Sequence, residues 1–355
     1  NEIGCCVFVF FFLFIFFLVF RKIVFYNFGY VIMSAINIPP TPFRYLNHKY
    51  KHQKVAARSV YTDGGHRGDS IPVNVPVIDA RFTRPTIPLE ITQQLDHLGH
   101  CLVDFNSSEW QDVKTLNISA MEHDVQLQQS YYSACERCVL RATGATYARA
   151  FNFTLRDSRI KGVHTKPSGD NSARGPVNDV HTDYTPNAPG VKAITELVRK
   201  KMNLGEDVRF ALFNVWRNVS TEPIQTWPLA VCNANSIHPN ELIERISPEN
   251  NNVIHNVLPN SKQHEWRYYS RMTNQECLIF KQYDTNTDNL SRFTPHTAFD
   301  LLAATQSNIN GDVDDQIRLS VPPRESCEVR VLVIFDDSNT SKLKEVRRGT
   351  VNSKL

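Results

Sequence analysis

The sequence predicts a mainly β protein, a double-stranded β-helix (jelly roll) with helices packed in front of the barrel. Two observations lead to this prediction. Beyond residue 175, seven short strand-like runs follow one another, separated by turn signals. That part of the chain contains one helical run, at residues 188–203, whereas a parallel sheet needs a helix between most of its strands. The chain has 355 residues, 41% of them hydrophobic, and can therefore bury a full core around a deep pocket.

The predicted strands share a length of seven to ten residues and a high content of β-branched and aromatic side chains. In chain order they are NDVHTDY, FALFNVWRNV, LAVCNANS, WRYYSRM, CLIFKQYD, RFTPHTAF and CEVRVLVIFD. The single helix, APGVKAITELVRKKMN, follows the first of them.

A helical front part precedes these strands. From IPLEITQQLDHLGHCLVDF to SYYSACERCVLRATGATYARAFNFTLR, apolar residues recur mostly at helical spacing, which predicts two or three helices. At the end of the second segment, ARAFNFTLRD alternates and predicts a strand. We therefore expect one domain over residues 81–340, followed by a polar tail over residues 341–355.

The N-terminal region differs from the rest of the chain. Residues 1–33 are strongly apolar, and the run at 3–20, followed by Arg21 and Lys22, is long enough to cross a bilayer as a helix. Two interpretations are open: a single-pass membrane anchor, or a wrongly predicted gene start, because the run is rich in phenylalanine and Met33 offers another start. Residues 34–80, rich in Pro, Lys, His and Arg, predict an extended arm over the domain surface.

Charge and cysteine content exclude several classes of protein. The formal net charge is +3 and the charges alternate along the chain, which argues against a nucleic-acid partner. No glycine-rich phosphate loop is present. The eight cysteines lack the spacing of a disulfide framework, and the CxxC of Cys135 and Cys138 has no second ligand pair that would favour zinc. Reduced thiols and a cytoplasmic location are therefore expected, with the membrane anchor through residues 3–20 as the alternative.

His181 and Asp183 are candidate metal ligands. In a strand, residues i and i+2 point to the same face, so both side chains can approach one point. A mononuclear ferrous site uses two imidazoles and one carboxylate and keeps the other positions open. His296, 115 residues downstream in a strand-like segment, is the strongest candidate for the second imidazole. An H-x-D pair alone also arises by chance in a sequence with twelve histidines.

The last predicted strand offers an anchor for an acidic co-substrate such as 2-oxoglutarate. Its distal carboxylate needs a cation, ideally an arginine fork next to a hydroxyl. Arg324, Ser326, Glu328 and Arg330 share one strand face. We expect Arg330, well inside the run, to bind the carboxylate, with Arg324 and Ser326 as the alternative pair. A structural salt bridge between Arg330 and a neighbouring glutamate is the competing interpretation.

Several motifs in order resemble the AsaB/CmcJ-like hydroxylase/desaturase family of secondary-metabolite biosynthesis. They are HTDYTP, FNVWRNV, WPLAVCNANSI, RYYSRMTNQECLIFKQYDT, TPHTAF and RESCEVRVLVIF, and the resemblance covers about residues 75–336. It implies a non-haem iron, 2-oxoglutarate-dependent oxygenase with His181, Asp183 and His296 as iron ligands. The chain differs from the family in its long segment 300–323, between the last histidine and the arginine strand, so spacing alone does not assign the arginine.

Six further residues belong to the same motifs. Asn214, Trp216 and Arg217 are candidates to line the substrate cavity, although a tryptophan on a strand is more often part of the core. Tyr268, Tyr269 and Lys281 are candidates to reach the co-substrate, with cross-strand packing as the equal alternative.

These features predict an oxidoreductase, a dioxygenase that uses Fe(II) and 2-oxoglutarate to hydroxylate or desaturate a small secondary metabolite. Its expected partners are that small-molecule substrate and dioxygen. Two alternatives remain. One is a non-catalytic accessory or binding protein of a biosynthetic pathway on the same fold, which need not retain iron. The other is a metal-dependent hydrolase or isomerase, which would work without oxygen.

Overall fold

The structure, a computed structural model, describes residues 37–48, 55–56, 70–82, 90–104, 118–161, 171–205, 207–246, 253–260, 262–288, 291–306 and 313–336. The apolar segment 1–33 lies outside the described residues, and so does the choice between a membrane anchor and a wrongly predicted gene start. The tail 341–355 lies outside them as well. Within the described part of the chain, no helix has the length and the apolar character that a membrane crossing requires.

Two curled sheets face each other and form the predicted jelly roll. Fourteen strands are described: β1 (Asn37–Leu46), β2 (Val55–Ala56), β3 (Ser70–Asp79), β4 (His100–Asp104), β5 (Tyr147–Asp157), β6 (His181–Thr182), β7 (Arg209–Asn218), β8 (Leu229–Cys232), β9 (Leu242–Ile246), β10 (Val253–Val257), β11 (Trp266–Tyr268), β12 (Glu276–Asp284), β13 (His296–Ala298) and β14 (Glu325–Phe335). The nine-stranded sheet has the order β1-β3-β11-β8-β13-β6-β10-β9-β2, and the five-stranded sheet the order β4-β12-β7-β14-β5. The prediction of a mainly β jelly roll is confirmed.

Six helices accompany the sheets: α1 (Ile91–His97), α2 (Ile118–His123), α3 (Val125–Thr143), α4 (Pro189–Met202), α5 (Leu301–Gln306) and α6 (Asp315–Ser320). The longest, α3, has clear end signals. The Asp124 carboxylate accepts from the backbone amides of Gln126 and Leu127, both at 2.9 Å. Gly144 ends the helix in the left-handed conformation, at φ 68°. The helical segments predicted around α3 and α4 are present.

Helix α3 covers the outer face of the five-stranded sheet. Its buried side chains, such as Tyr131 and Val139, pack in one cluster with Cys327, Val329 and Val331 of β14. Side chains of a strand alternate between its two faces. The even-numbered residues of β14 up to Arg330, the ones that the sequence predicted to share a face, therefore point into the space between the two sheets.

The interior between the sheets is partly apolar. Leu229 and Val231 of β8 form one cluster with Leu278, Phe280 and Trp216 from the opposite sheet. The alternate residues of β8, Ala230 and Cys232, belong to a separate cluster on the other face. This packing holds the two sheets together at the level of β13, the strand that carries His296.

The described part of residues 34–80 differs from the predicted extended arm. Strands β1 and β3 in this region pair with each other, and β3 also pairs with β11, so both belong to the nine-stranded sheet. Phe43, Tyr45 and Val75 are fully buried core residues. Three prolines in β1 make this strand difficult to recognise in the sequence. They are compatible with a strand because β1 lies at the edge of the sheet, where few backbone amides need a hydrogen-bond partner.

Two other local predictions need correction. The segment HCLVD, expected to continue a helical pattern, forms strand β4, which pairs with β12. The predicted strand NDVHTDY is reduced to the two residues of β6. Apolar runs of four or five residues do not distinguish a buried strand from a helix, which explains the first error.

We expect Gly99→Ala to destabilise the protein more than Gly144→Ala does. Both glycines have positive φ, 81° and 68°, so both substitutions strain the backbone. An added Cβ meets open space at Gly144, but at Gly99 it would lie 2.4 Å from Oγ1 of Thr294. The extra cost should be about 2 kcal/mol, measured by denaturant unfolding. Equal losses of stability in the two variants would contradict this contact.

We also expect stability to fall with acid in a way that depends on His255. Burial is the main cause that lowers the pKa of His255 to about 3. Between the ordinary histidine pKa of about 6.5 and that value, the unfolded chain binds a proton that the folded chain does not, so the free energy of unfolding falls as pH falls. In His255→Gln, the slope of unfolding free energy against pH should be shallower by up to about one proton in this range.

The control for this experiment is Phe293→Leu. The ring centroids of Phe293 and His255 lie 4.9 Å apart in an edge-on arrangement. Replacement of Phe293 therefore lowers stability without removing a titrating group. The wild-type slope should persist in this variant. Identical slopes in wild type and His255→Gln would show that His255 does not carry the effect.

Candidate metal centre and co-substrate pocket

His181, Asp183 and His296 converge between the two sheets. Nε2 of His181 lies 3.5 Å from Oδ1 of Asp183, and Nε2 of His296 lies 3.8 Å from the same oxygen. The three ligand atoms lie within 4.8 Å of one another. The antiparallel pair β6–β13 places His181 directly opposite His296, so two residues far apart in sequence become neighbours.

Backbone carbonyls orient both imidazoles. Nδ1 of His181 lies 2.7 Å from the carbonyl oxygen of Asp179, and Nδ1 of His296 lies 3.3 Å from that of Thr294. A carbonyl can only accept, so in each ring Nδ1 carries a proton, and Nε2 is the nitrogen that remains available to a metal ion. Burial first, and then His181, lower the pKa of His296 to about 3, which keeps this ring neutral.

The strand that carries His181 and Asp183 is fixed from its opposite face. The Thr182 hydroxyl donates to the carbonyl oxygen of Tyr184 at 3.1 Å and lies 3.0 Å from Nδ1 of His255 on β10. Thr182 thus points away from the two candidate ligands, as the period of a strand requires. Oε1 of Gln282 accepts from the backbone amide of Asp183 at 2.7 Å and holds the end of the strand against β12.

Asp183 is a buried anion. Burial alone would raise its pKa, but Arg330 and the two histidines outweigh this effect and hold the pKa of Asp183 well below its usual value. Nη2 of Arg330 donates to Oδ2 of Asp183 at 3.2 Å. The carboxylate therefore carries its negative charge towards the two Nε2 atoms.

A small cavity opens beside these three residues. Its apolar walls are Val177, Leu229, Ala298 and Trp216. Its polar walls are Arg156, Arg324 and Glu328, together with the three candidate ligands. Burial is the first cause that raises the pKa of Glu328, followed by the charge of Asp183.

Arg324 is a buried cation at the edge of this cavity. Its Nη1 donates to the carbonyl oxygen of Trp227 at 2.6 Å, and its guanidinium lies over the Trp216 ring. Within the described part of the chain, its Nε and the buried Oγ of Ser326 have no hydrogen-bond partner. Burial, followed by Arg156, lowers the pKa of Arg324 to about 9. No carboxylate of the described residues forms an ion pair with this guanidinium, and Glu328 and Asp157 act on it only from a longer distance.

Arg330, by contrast, has its partners within the protein. Nη1 donates to Asn152 Oδ1 at 3.0 Å and to Thr154 Oγ1 at 2.9 Å, and Nη2 donates to Asp183 and to Glu328 Oε1, each at 3.2 Å. The ion pair between Arg330 and a neighbouring glutamate, the competing interpretation of the sequence, is present.

The three candidates to line the pocket lie in different surroundings. Trp216 lines the cavity, and Asn214 donates to Oδ2 of Asp183 at 2.8 Å. Arg217 points to the other face of its strand, where it lies over the Tyr131 ring.

The three candidates to reach the co-substrate also differ in their contacts. Tyr268 and Tyr269 pack in two separate apolar clusters. Lys281 forms ion pairs with Asp96 and Asp284.

Sequence reasoning did not find two of the residues that shape the site. Gln282 is a fully buried polar residue in the continuously buried strand β12, a position that itself signals a specific partner. Trp227 has a positive φ of 49°, rare for a bulky residue, and presents its carbonyl to Arg324. No pattern in the sequence indicates that backbone conformation.

Comparison with known proteins gives a family match and several relatives. The model of the oxidoreductase/YMDC permease-like domain family matches residues 43–334. The hydroxylase/desaturase efuI of Hormonema carpetanum is 28% identical over 231 residues, which cover 59% of this chain and 72% of that protein. The Fe(II)/2-oxoglutarate-dependent dioxygenase nvfI of Aspergillus novofumigatus is 30% identical over 217 residues, 58% of this chain and 67% of that protein.

A solved structure has the same architecture. The iron and alpha-ketoglutarate-dependent endoperoxidase NvfI superposes with a TM-score of 0.59 at 23% sequence identity, over 83% of this chain and 96% of that one. At this identity the likeness shows the fold, which agrees with the two facing sheets described above. The resemblance to hydroxylase/desaturase proteins is confirmed by the named relatives. With a match that spans most of its length, the chain belongs to the oxidoreductase/YMDC permease-like domain family.

Proposed function

We propose that this chain is an Fe(II)/2-oxoglutarate-dependent oxygenase that hydroxylates or desaturates a small secondary metabolite. One observation carries the proposal: a single cavity is lined by two imidazoles, a carboxylate and a buried guanidinium whose Nε has no hydrogen-bond partner among the described residues. The names of the relatives, hydroxylase/desaturase and Fe(II)/2-oxoglutarate-dependent dioxygenase, support it. They give no support to a non-catalytic accessory protein.

The donor set fits a ferrous ion. Ligand atoms about 2.1 Å from one metal ion and at right angles to each other lie about 3 Å apart. The separations of 3.5 and 3.8 Å between Asp183 and the two histidines need only small shifts to reach that value. Two neutral imidazoles and one carboxylate on one side are the ligands of a non-haem Fe(II) site with open positions. His181, Asp183 and His296 are the residues that would hold it.

Arg324 and Ser326 are the proposed anchor for the distal carboxylate of 2-oxoglutarate. They lie two residues apart at the start of β14, and both have buried polar atoms without a partner in the described part of the chain. A carboxylate placed there would pair with the guanidinium and accept from the hydroxyl. Arg330, which the sequence favoured for this role, already binds two carboxylates of the protein.

Bound Fe(II), together with 2-oxoglutarate and dioxygen, supplies the oxidising chemistry. The chain's own residues prepare the site for it. Asp183 and the two carbonyl-oriented histidines present their lone pairs to one point. Val177, Leu229 and Ala298 form the apolar part of the cavity wall, and a wall of low polarity strengthens the charge interactions beside it. Arg156 and Glu328 offer polar contacts to a substrate beside these apolar walls.

A cytoplasmic location is part of the same proposal. The six described cysteines are buried free thiols, among them Cys138 and Cys277, whose sulfur atoms lie 3.4 Å apart without a disulfide. Unbridged cysteines in this number are typical of a reducing compartment.

We expect His296→Gln to lose both iron binding and 2-oxoglutarate turnover. Removal of one of three protein ligands leaves a carboxylate and one imidazole, which cannot hold the ion in a defined geometry. Iron bound per chain and succinate formed under air are the measurements. His264→Gln is the matched control, because it replaces another buried histidine, whose ring nitrogens contact Tyr45 and Glu241, and it should keep both properties. A folded His296→Gln protein with a full equivalent of iron and normal turnover would refute the proposed function.

We expect Arg324→Gln to raise the KM for 2-oxoglutarate by about 100-fold, because a charge-assisted pair is worth about 3 kcal/mol. Ser326→Ala, which removes one neutral donor, should raise KM by about tenfold. Iron bound per chain should stay at the wild-type value in both variants. Anaerobic titration with 2-oxoglutarate, followed by the charge-transfer absorption of the Fe(II) complex, gives the affinity directly. An unchanged affinity in folded Arg324→Gln would reject Arg324 as the anchor.

A further inference from the structure

The two oxygens of the Asp183 carboxylate have different surroundings. Oδ1 faces the Nε2 atoms of His181 and His296. Oδ2 points the opposite way and accepts two hydrogen bonds, from Nδ2 of Asn214 at 2.8 Å and from Nη2 of Arg330 at 3.2 Å. One oxygen is therefore already bound by the protein, and the other is directed at the space between the histidines.

Both donors come from the opposite sheet. Asn214 lies on β7 and Arg330 on the neighbouring β14, directly across from each other in the strand register. On the other side of β14, Arg330 faces Asn152 of β5. Side chains of one cross-strand row in the five-stranded sheet thus reach across the interior to Asp183, the residue that directly follows β6 of the other sheet.

The guanidinium of Arg330 cannot turn freely. Nη1 is held by Asn152 and Thr154 of β5, and Nη2 is shared between Asp183 and Glu328. The plane of the guanidinium is fixed by these four contacts, so the direction of its bond to Asp183 is fixed as well. A lysine at this position would keep the charge but could not reproduce the fork.

Arg330 also compensates the charges of two carboxylates. Arg330 lies between two buried carboxylates, Asp183 and Glu328, and compensates them. An apolar side chain at residue 330 would leave two uncompensated carboxylates close together in the interior, and Asp183 would be free to rotate and offer both oxygens to a metal ion.

We propose that Arg330, together with Asn214, is a positioning residue that restricts Asp183 to binding the metal through Oδ1 alone. This inference rests on the metal centre of the proposed function. A carboxylate bound through one oxygen occupies one coordination position, so with two imidazoles it leaves three of six positions for a bidentate co-substrate and dioxygen. If both oxygens of Asp183 bound, one of those positions would be lost.

The test compares Arg330→Met and Arg330→Lys with wild type, with metal ions alone as the probe. Anaerobic titration with Fe(II) should show an affinity about 10- to 100-fold lower in Arg330→Met, the range expected for a residue that orients a ligand. Arg330→Lys should recover part of it. The absorption spectrum of the Co(II)-loaded protein, which reports coordination number and geometry, should change in Arg330→Met.

Arg159→Met is the matched control. Arg159 also pairs with two carboxylates, those of Asp157 and Glu325, but it is largely exposed and lies at the far end of β5. Its loss removes an arginine ion pair without touching Asp183, so Fe(II) affinity and the Co(II) spectrum should equal those of wild type. If Arg330→Met does not fold, Asn214→Ala removes the other donor to Oδ2 and should lower the affinity and change the spectrum in the same direction.

Wild-type Fe(II) affinity and an unchanged Co(II) spectrum in the folded Arg330 and Asn214 variants would overturn this proposal and leave the proposed function standing. A lower affinity for 2-oxoglutarate with unchanged Fe(II) affinity in Arg330→Met would also overturn it, because Arg330 would then be the co-substrate anchor. Absence of metal binding in the wild-type protein would instead refute the proposed function itself.

Discussion

The packing of α3 against the outer face of the five-stranded sheet is the constraint on which the rest of the structure depends. The helix buries the odd-numbered side chains of β14, from Cys327 to Val331, and this commits the even-numbered ones to the interior of the barrel. A register slip of one residue would place the two arginines of that strand in an apolar core. The packing of the apolar face of β14 against the helix thus determines that the polar face of this strand points into the interior.

The two arginines of the interior differ in how their positive charge is compensated. Arg330 is compensated by two carboxylates, whereas Arg324 donates only to a backbone carbonyl among the contacts described. In the absence of a ligand, the region around Arg324 carries a buried positive charge, and the burial of this charge lowers the free energy of unfolding. A dicarboxylate co-substrate would supply the missing charge, so its binding free energy includes relief of that cost.

The sequence allowed the fold class to be predicted, and it indicated that His181, Asp183 and His296 lie together, because both inferences depend on strand periodicity and on the order of a few polar residues. The surroundings of the two arginines could not be predicted. Those of Arg330 depend on Asn152 and Thr154 of the neighbouring strand β5, and such cross-strand partners are set by register, not by local pattern. Strands β1 and β3 were missed for a related reason, since the prolines of an edge strand look like a loop in the sequence.

The position of β14 between β7 and β5 has a consequence for the order of folding. Strand β5 pairs with β14 alone among the described strands, and β14 is the last described strand in chain order. Strand β5 ends at Asp157 and β14 begins at Glu325, so β5 is synthesised long before its partner. Contacts of such long sequence separation form late and slowly. The hydrogen bond from Arg330 to Asp183 can form only after β14 has been made, so the proposed iron site is complete only at that stage.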